Sequence, residues 1–208
     1  MHMEEKFTYE TWPAAPEKSN LDSKNKFLGF WLFLGGETVL FASLFATYLA
    51  LKDKVPSGNQ HLAKDLFEMP LTFVATMLLL TSSLTSVFAI YQMKNFNFRK
   101  MMLWFGLTAL LGLGFLGLEV YEFNNYVHEG HTFTSSAFGS AFYTLVGFHG
   151  GHVAFGLLWC ITLMIRNSKR GLNLYNAPKF YVFSLYWHFI DVVWVFIFTV
   201  VYLMGMVG

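Results

Sequence analysis

Seven ionisable side chains that could do chemistry lie within strongly apolar stretches of this sequence. They are Glu37, Glu119, Glu122, His149, His152, His188 and Asp191. On insertion scales, a charged residue at the centre of a bilayer costs about 2.5–3.5 kcal/mol, so such residues are functional candidates wherever the stretch spans a membrane. Carboxyl and imidazole groups together could carry protons, bind a metal or haem, or join helices by hydrogen bonds.

The composition indicates that these stretches do span a membrane. Hydrophobic residues make up 55% of the 208 residues and charged residues only 13%, whereas a soluble domain usually carries about 25% charged residues. The net charge of +1 and the scattered basic residues argue against nucleic-acid binding. The single cysteine, Cys160, excludes an internal disulfide and a multi-cysteine metal site, and its apolar surroundings predict a small buried hydrophobe.

Five segments are long and apolar enough to cross a bilayer as helices, which takes about 20 residues each. They are residues 27–51, 70–92, 101–123, 137–165 and 180–205, and none of them contains a lysine or an arginine. The predicted fold class is therefore all-α, a bundle of five transmembrane helices. We expect two parts, a solvated tail at 1–26, which has no secretory signal, and a transmembrane domain at 27–208.

The distribution of lysine and arginine predicts the orientation of the bundle. Eleven of the 14 basic residues lie in the N-terminal tail, the second loop and the fourth loop, which share one side of the membrane. Because basic loops stay in the cytoplasm, the N-terminus is predicted to lie inside and the C-terminus outside. No convincing internal repeat is present, which argues mildly against a transporter built from inverted halves.

The depths of five ionisable residues predict a shared polar cluster. At about 1.5 Å per residue from the inner ends, His188 lies about 12 Å deep, Glu37 about 15 Å and Asp191 about 17 Å. His152 and His149 follow at about 20 and 24 Å. We expect the first, fourth and fifth helices to meet around one buried cluster, in which the acids are neutral or hydrogen-bonded to histidine.

The histidine spacing leaves several roles open for this cluster. His149 and His152 are three residues apart on one helix face, but two histidines without a nearby acid are too few for a known zinc site. Haem ligation would need His188 to face one of them across the bundle. His188 and Asp191 are also three apart and could pair with each other. A structural hydrogen-bond network is the favoured reading from spacing alone.

The remaining polar and small residues have simpler interpretations. Glu119 and Glu122 lie near the outer end of the third span, where a position at the water interface is the least costly. The second span carries a run of small hydroxyl residues, Thr81, Ser82, Ser83, Thr85 and Ser86. These hydroxyls predict hydrogen bonds to carbonyls of their own helix. Both the hydroxyl residues and the glycines of the third and fourth spans predict close approach of neighbouring helices.

Three segments carry recognisable motifs. The first span contains FWLFLGGE, which ends at Glu37; the fourth contains GFHGGH at 147–152; the fifth contains YWHFIDVVW at 186–194. In this order they strongly resemble subunit III of the haem-copper oxidases, in its shorter, five-helix bacterial form, over residues 27–208. LEVYEF at 118–123 is similar to the third segment of that family. Gly36 departs from the family, since many relatives have serine before the acid.

This resemblance implies a function for the chain. Members of the family are non-catalytic subunits of terminal oxidases that reduce oxygen to water and pump protons, and they are multi-pass proteins of the bacterial cytoplasmic membrane. They contact oxidase subunit I directly, within a complex that also holds subunits II and IV. They carry no cofactor of their own, because haem and copper belong to partner subunits. They hold structural phospholipid in a cleft, and they support assembly, proton uptake and stable turnover.

The resemblance also assigns expected places to residues of this chain. The acid matching Glu37 lies at the lipid-lined region in the family, and the short form would need a neighbouring chain to complete the cleft. The expected residues of the buried polar cluster and lipid cleft are Glu37, His149, His152, His188 and Asp191. Helix contacts are expected from Tyr186, Trp187 and Trp194, with Glu119 and Glu122 as secondary acids.

Several alternative functions remain at this point. The residues of these segments resemble more closely those of the cytochrome c oxidases of Gram-positive bacteria. Subunit III of a quinol oxidase is the nearest alternative. A proton-coupled transporter could use the same acids and histidines as a relay. A haem-binding membrane anchor is a further possibility. An intramembrane hydrolase is weaker, since no serine or cysteine stands in a recognisable nucleophile motif.

Overall fold

Five long helices form the protein in the computed structural model, which describes residues 11–19, 21–51, 69–128 and 137–203. The helices are α1 (Leu21–Leu51), α2 (Met69–Lys94), α3 (Phe98–His128), α4 (Ala137–Asn167) and α5 (Ala177–Ile197). A short 3₁₀ turn, Pro16–Lys18, precedes α1, and π-helical turns, Phe198–Leu203, continue α5. All five helices are long and apolar enough to cross a membrane. The prediction of five spanning helices in an all-α fold is confirmed.

Short links and packing fix the arrangement of the helices. A three-residue turn joins α2 to α3, and its central residue, Phe96, takes a positive φ of 55°. These two helices form the most extensively packed pair, while α5 lies against α1, α2 and α4. The start of α1 meets the α4–α5 link, where Lys26 Nζ lies 5.6 Å from the centre of the Tyr175 ring. We call this end of the bundle the basic end.

The segment before α1 packs on the bundle at the basic end. Trp12 and Glu17 are both buried. The Trp12 indole donates a hydrogen bond to the Met93 carbonyl at 3.2 Å, and Lys94 Nζ lies 3.8 Å from a Glu17 carboxylate oxygen. The prediction of a solvated tail is therefore wrong for Trp12, Pro16 and Glu17, because the end of α2 offers a carbonyl and a cation to this segment. Residues 1–10 lie outside the described ranges.

Helix α1 lies at the edge of the bundle. Its inward side carries Leu34, Phe41 and Tyr48 at seven-residue intervals, and all three are buried. The described residues leave its other side uncovered: Leu32 and Val39 are each more than 70% exposed. Such exposed apolar residues suit lipid or a partner helix, so the fold leaves one long apolar face available.

Candidate functional site

Glu37 of α1 and His152 of α4 form a direct pair. His152 Nε2 lies 3.0 Å from Glu37 Oε2, and both side chains are more than four-fifths buried. The other ring nitrogen, Nδ1, lies 2.7 Å from the Phe148 carbonyl oxygen. Since a carbonyl only accepts hydrogen bonds, Nδ1 carries a proton. Nε2 then either accepts from a protonated Glu37 or donates to its carboxylate, and in both cases the pair is electrically neutral.

Aromatic and small residues surround the Glu37–His152 pair. The Phe41 ring lies 5.1 Å from the His152 ring, and the Tyr186 hydroxyl donates to the His152 carbonyl at 3.1 Å. Next to Glu37, an added Cβ at Gly35 or Gly36 would meet nothing within 4 Å. The pair therefore lies close to the uncovered side of α1, where a neighbouring molecule can approach the backbone.

His188 belongs to a different polar group, which joins α5 to α2. Its Nδ1 lies 2.7 Å from Ser83 Oγ, and its Nε2 lies 3.4 Å from Ser184 Oγ. Ser184 is hydrogen-bonded to Ser86 at 2.8 Å, and Ser83 also interacts with the Asp191 carboxyl group. We call these five residues the α2–α5 polar chain. No hydrogen bond joins His188 directly to Asp191, so the pairing suggested by their spacing is replaced by a contact through Ser83.

His149 lies apart from both groups, in the centre of the bundle. It is fully buried, with its ring 5.1 Å from the Trp194 ring and 5.9 Å from the Phe115 ring. Neither ring nitrogen has a hydrogen-bond partner among the described residues. Three residues of helix turn the side-chain direction by about 300°, which leaves a difference of about 60° between His149 and His152. The five residues therefore do not share one hydrogen-bond network: they divide into a pair, a chain and one ring without a hydrogen-bond partner among the described residues.

Glu119 and Glu122 of α3 are buried inside the bundle, which corrects the predicted position at the water interface. Glu122 accepts hydrogen bonds from Tyr126 and from Thr72 Oγ1, the latter at 3.2 Å. Glu119 lies against α4, so closely that an added Cβ at Gly150 would be 2.6 Å from its Oε1. Helix α3 continues beyond both acids to His128, so neither acid lies at its end, and Gly150 leaves the space that Glu119 needs.

The three aromatic residues of the α5 motif connect α5 to its neighbours. Tyr186, Trp187 and Trp194 are each only 1% exposed. The Trp187 indole donates to Ser82 Oγ and the Trp194 indole to Thr76 Oγ1, each at 3.0 Å. With Tyr186 bonded to α4, the side-chain polar atom of each of these three aromatic residues has a partner on another helix, so the three combine close packing with hydrogen bonding.

A cavity of about 570 Å³ lies at the basic end between α1, α4 and α5. Four cationic residues line it, namely Lys26, Arg166, Arg170 and Lys179. Apolar residues, among them Phe30, Phe33 and Trp159, line it as well. Beside it, a hydrogen bond from Lys179 lowers the pKa of the Tyr175 phenol from its ordinary value. The cavity therefore combines apolar walls with concentrated positive charge.

In the sequence, these four cations predict only the orientation of the chain. Their grouping around one cavity was not predicted. They come from the start of α1 and from both sides of the α4–α5 link, so no local spacing brings them together. The sequence interpretation also assigned the hydroxyl residues of α2 to packing, although Ser82 and Ser83 are hydrogen-bond partners of Trp187 and His188. The available signal was the run of hydroxyl residues at 81–83 and 85–86 of α2, together with the indole and imidazole groups of the α5 motif.

Comparison with known proteins identifies the family. The family model for cytochrome c oxidase subunit III matches residues 18–206. The chain belongs to this family. It is 80% identical to cytochrome c oxidase subunit 3 of Bacillus sp. (strain PS3) and 73% identical to that of Bacillus subtilis (strain 168), covering 100% of both chains in each case. Quinol oxidase subunit 3 of Bacillus subtilis (strain 168) is 48% identical, over 87% of this chain and 88% of that protein.

Membership in the cytochrome c oxidase subunit III family confirms the resemblance carried by the three motifs. The chain is subunit III of a haem-copper oxidase, a multi-pass bacterial membrane protein that forms part of an oxidase complex. Within the ranges that the structure describes, no group of three or more histidine, cysteine, aspartate or glutamate side chains is placed to hold a metal ion. The roles of Glu37, His149, His152, His188 and Asp191 stay predictions, which the geometry above makes specific.

Proposed function

We propose that this chain is the non-catalytic subunit III of a proton-pumping cytochrome c oxidase and has no redox centre of its own. Haem and copper belong to the partner subunits, where oxygen is reduced to water. The full-length identity of 80% to a cytochrome c oxidase subunit 3 carries this proposal, against 48% for the quinol oxidase relative. Subunit III of a quinol oxidase is the alternative, because both kinds of relative share this family.

Within that complex the chain contacts subunit I directly and accompanies subunits II and IV. Its N-terminus lies in the cytoplasm and its C-terminus outside. The positive-inside rule supports this orientation, since the basic end carries most of the lysine and arginine. The uncovered face of α1, which runs past Gly35 and Gly36, is where a neighbouring chain completes a cleft.

The cavity at the basic end holds a structural phospholipid with an anionic headgroup. Each lysine or arginine near an anionic lipid surface contributes about 1 kcal/mol of attraction, and four of them line this cavity. Arg166 and Arg170 supply planar guanidinium groups, which suit bidentate hydrogen bonds to phosphate. The apolar wall formed by Phe30, Phe33 and Trp159 accepts the start of an acyl chain. The neutral Glu37–His152 pair lies further along α1 and α4, at the depth of the acyl chains.

This arrangement supports catalysis without taking part in it. A held lipid and a neutral acid–histidine pair keep the helices against the catalytic subunit during turnover, so the subunit maintains assembly, proton uptake and enzyme lifetime. The role explains why the acids and histidines of the bundle are divided among helix contacts and are not gathered around one reactive centre.

Purification of the tagged chain in mild detergent tests the proposed function. Mass spectrometry of its companions and a visible spectrum of the same sample are recorded together. Large haem-bearing subunits with their absorption bands are the expected result, and a subunit II with a cytochrome c docking domain distinguishes the donor from a quinol. Oxygen consumption with reduced cytochrome c and with quinol then checks the donor. A chain that purifies alone and colourless contradicts the assignment to the complex.

A further inference from the structure

Glu119 of α3 and His149 of α4 are deeply buried, and no contact described so far engages their polar atoms. Glu119 is 4% exposed and His149 is 0% exposed. Neither oxygen of the Glu119 carboxyl group and neither ring nitrogen of His149 has a hydrogen-bond partner among the described residues. Because a buried polar atom without a partner is costly, both side chains require a hydrogen-bonding neighbour.

The two side chains lie at the same level of the bundle. Glu119 Oε1 is only 2.6 Å from the position of a Cβ added at Gly150, the residue next to His149. One turn earlier on α3, the Phe115 ring lies 5.9 Å from the His149 ring. Residues four apart on a helix have Cβ atoms about 5–6 Å apart, so Phe115 and Glu119 are neighbours on α3. The carboxyl group and the imidazole ring therefore border the same small region between α3 and α4.

The hydrogen-bonding groups of these two residues are complementary. A carboxylate or an imidazolium without a hydrogen bond is very unfavourable in the interior, so both groups are neutral here. A neutral carboxyl group has one O–H donor and a carbonyl acceptor, and a neutral imidazole has one N–H donor and one acceptor nitrogen. Glu119 and His149 each offer one donor, and each offers an acceptor for the other.

The neighbouring polar groups are already engaged elsewhere. The Trp194 indole, whose ring packs against His149, donates to Thr76 Oγ1 at 3.0 Å. Glu122, the next acid along α3, accepts a hydrogen bond from Tyr126. The missing neighbour must therefore be small and must both donate and accept. Water has these properties, and globular proteins hold about one buried water per 27 residues, typically with about three hydrogen bonds each.

From this geometry we infer that ordered water is bound between α3 and α4, where it links Glu119 to His149. The carboxyl O–H donates to a water molecule, which donates in turn to the acceptor nitrogen of the ring. We call this position the core water site. It differs from the Glu37–His152 pair, in which the acid and the ring are in direct contact at 3.0 Å. The inference goes beyond the proposed function, since it applies equally to a cytochrome c oxidase and to a quinol oxidase.

Hydroxyl-radical footprinting of the intact oxidase tests the core water site. A brief X-ray exposure splits bound water, and the radicals oxidise the side chains beside it before they diffuse away. The readout is the oxidation rate of Phe115, measured by mass spectrometry. The matched control is Phe183, which is also 0% exposed and packs against the rings of Phe105 and Trp187. Phe115 is expected to be oxidised several-fold faster than Phe183.

Substitutions at Glu119 assign this signal to the site. Glu119→Gln keeps a donor and an acceptor on a side chain of similar size, so the rate at Phe115 is expected to stay high. Glu119→Leu removes both, and the rate at Phe115 is expected to fall to that of Phe183. If Glu119→Leu does not assemble, its combination with His149→Phe replaces both partners by apolar groups and is expected to give the same fall.

Two results from footprinting would overturn the inference: equal rates at Phe115 and Phe183 in the unsubstituted oxidase, or an unchanged Phe115 rate in Glu119→Leu. A high-resolution electron cryomicroscopy map provides an independent check. Density for water within hydrogen-bond distance of both Glu119 and His149 supports the site. A direct bond between the two residues, or a group from another subunit between them, overturns it. The proposed function is tested separately, by the subunits that purify with the chain.

Discussion

The Glu37–His152 pair and the α2–α5 polar chain show two ways of keeping ionisable groups in a membrane. The pair is self-contained, since one acid and one histidine from α1 and α4 neutralise each other. The chain spreads one histidine and one aspartate over three serines from α2 and α5. A neutral pair can border lipid, whereas a chain of shared hydroxyls requires the two helices that carry it to pack tightly.

The two regions also differ in how they are supported. The polar chain lies beside Trp187 and Trp194, whose indoles fix α5 to α2. The Glu37–His152 pair joins α4 to α1, the edge helix, whose outer face the described residues leave uncovered. We therefore expect substitutions on the α2–α5 side to affect stability of the fold, and substitutions on the α1–α4 side to affect lipid and lifetime.

Trp187→Ala is expected to have the largest effect. It removes a fully buried ring and leaves the Ser82 hydroxyl without its indole donor. Truncation of a buried tryptophan costs about 3–5 kcal/mol. The measurement is the unfolding midpoint of the purified complex, and Trp31→Ala, at a 51% exposed residue of α1, is the control. Similar losses for both variants would show that the two sides are equally important for stability.

Glu37→Ala comes next and acts on the self-contained pair. His152 Nε2 loses its partner, and an unsatisfied buried polar group costs about 1–3 kcal/mol. Haem content is expected to stay unchanged, while turnover over many cycles or retained phospholipid declines. Glu37→Gln retains a hydrogen-bonding side chain and is expected to lose less. Immediate loss of all haem in Glu37→Ala would refute a role limited to support.

Ser83→Ala is expected to have a smaller effect, because His188 and Asp191 lose one shared hydroxyl. A single hydrogen bond contributes about 0.5–1.5 kcal/mol net. The readout is resistance of the complex to dissociation by detergent. Thr81→Val is the matched control, since Thr81 is exposed on α2 and bonds only its own helix, at the Met77 carbonyl. Equal resistance of the two variants would show that the shared hydroxyl of Ser83 contributes no measurable stability to the complex.

Arg166→Ala is expected to have the smallest effect on stability and a selective effect on lipid. The loss of one cation from the cavity weakens the attraction to an anionic headgroup by about 1 kcal/mol. Native mass spectrometry of the complex should show less bound anionic phospholipid. Lys169→Ala, at an exposed position next to the cavity, is the comparison. Unchanged lipid in Arg166→Ala, or an equal loss in both variants, counts against a headgroup site.

Much of this architecture was predictable from the amino acids alone. The five spans follow from long apolar segments without lysine or arginine, and the family follows from the motifs around Glu37, His152 and His188. The predicted spans differ from the helices mainly at their ends, as for α3, which extends to His128. The sequence therefore determined the helices, their number and the family. Both signals are local: the hydropathy of a span depends on residues that are adjacent in the chain, and each motif is a short run of consecutive residues.

The tertiary structure alone decided which polar groups meet. It separated His149 from His152, inserted Ser83 between His188 and Asp191, buried Glu119 against Gly150 and gathered four cations around one cavity. Each outcome depends on how far one helix is rotated and shifted relative to another. A helix turns by about 100° per residue, so a small change in rotation exchanges an inward partner for an outward one. Spacing along the chain does not contain that rotation, and it is set by the packing of large side chains such as Trp187 and Trp194.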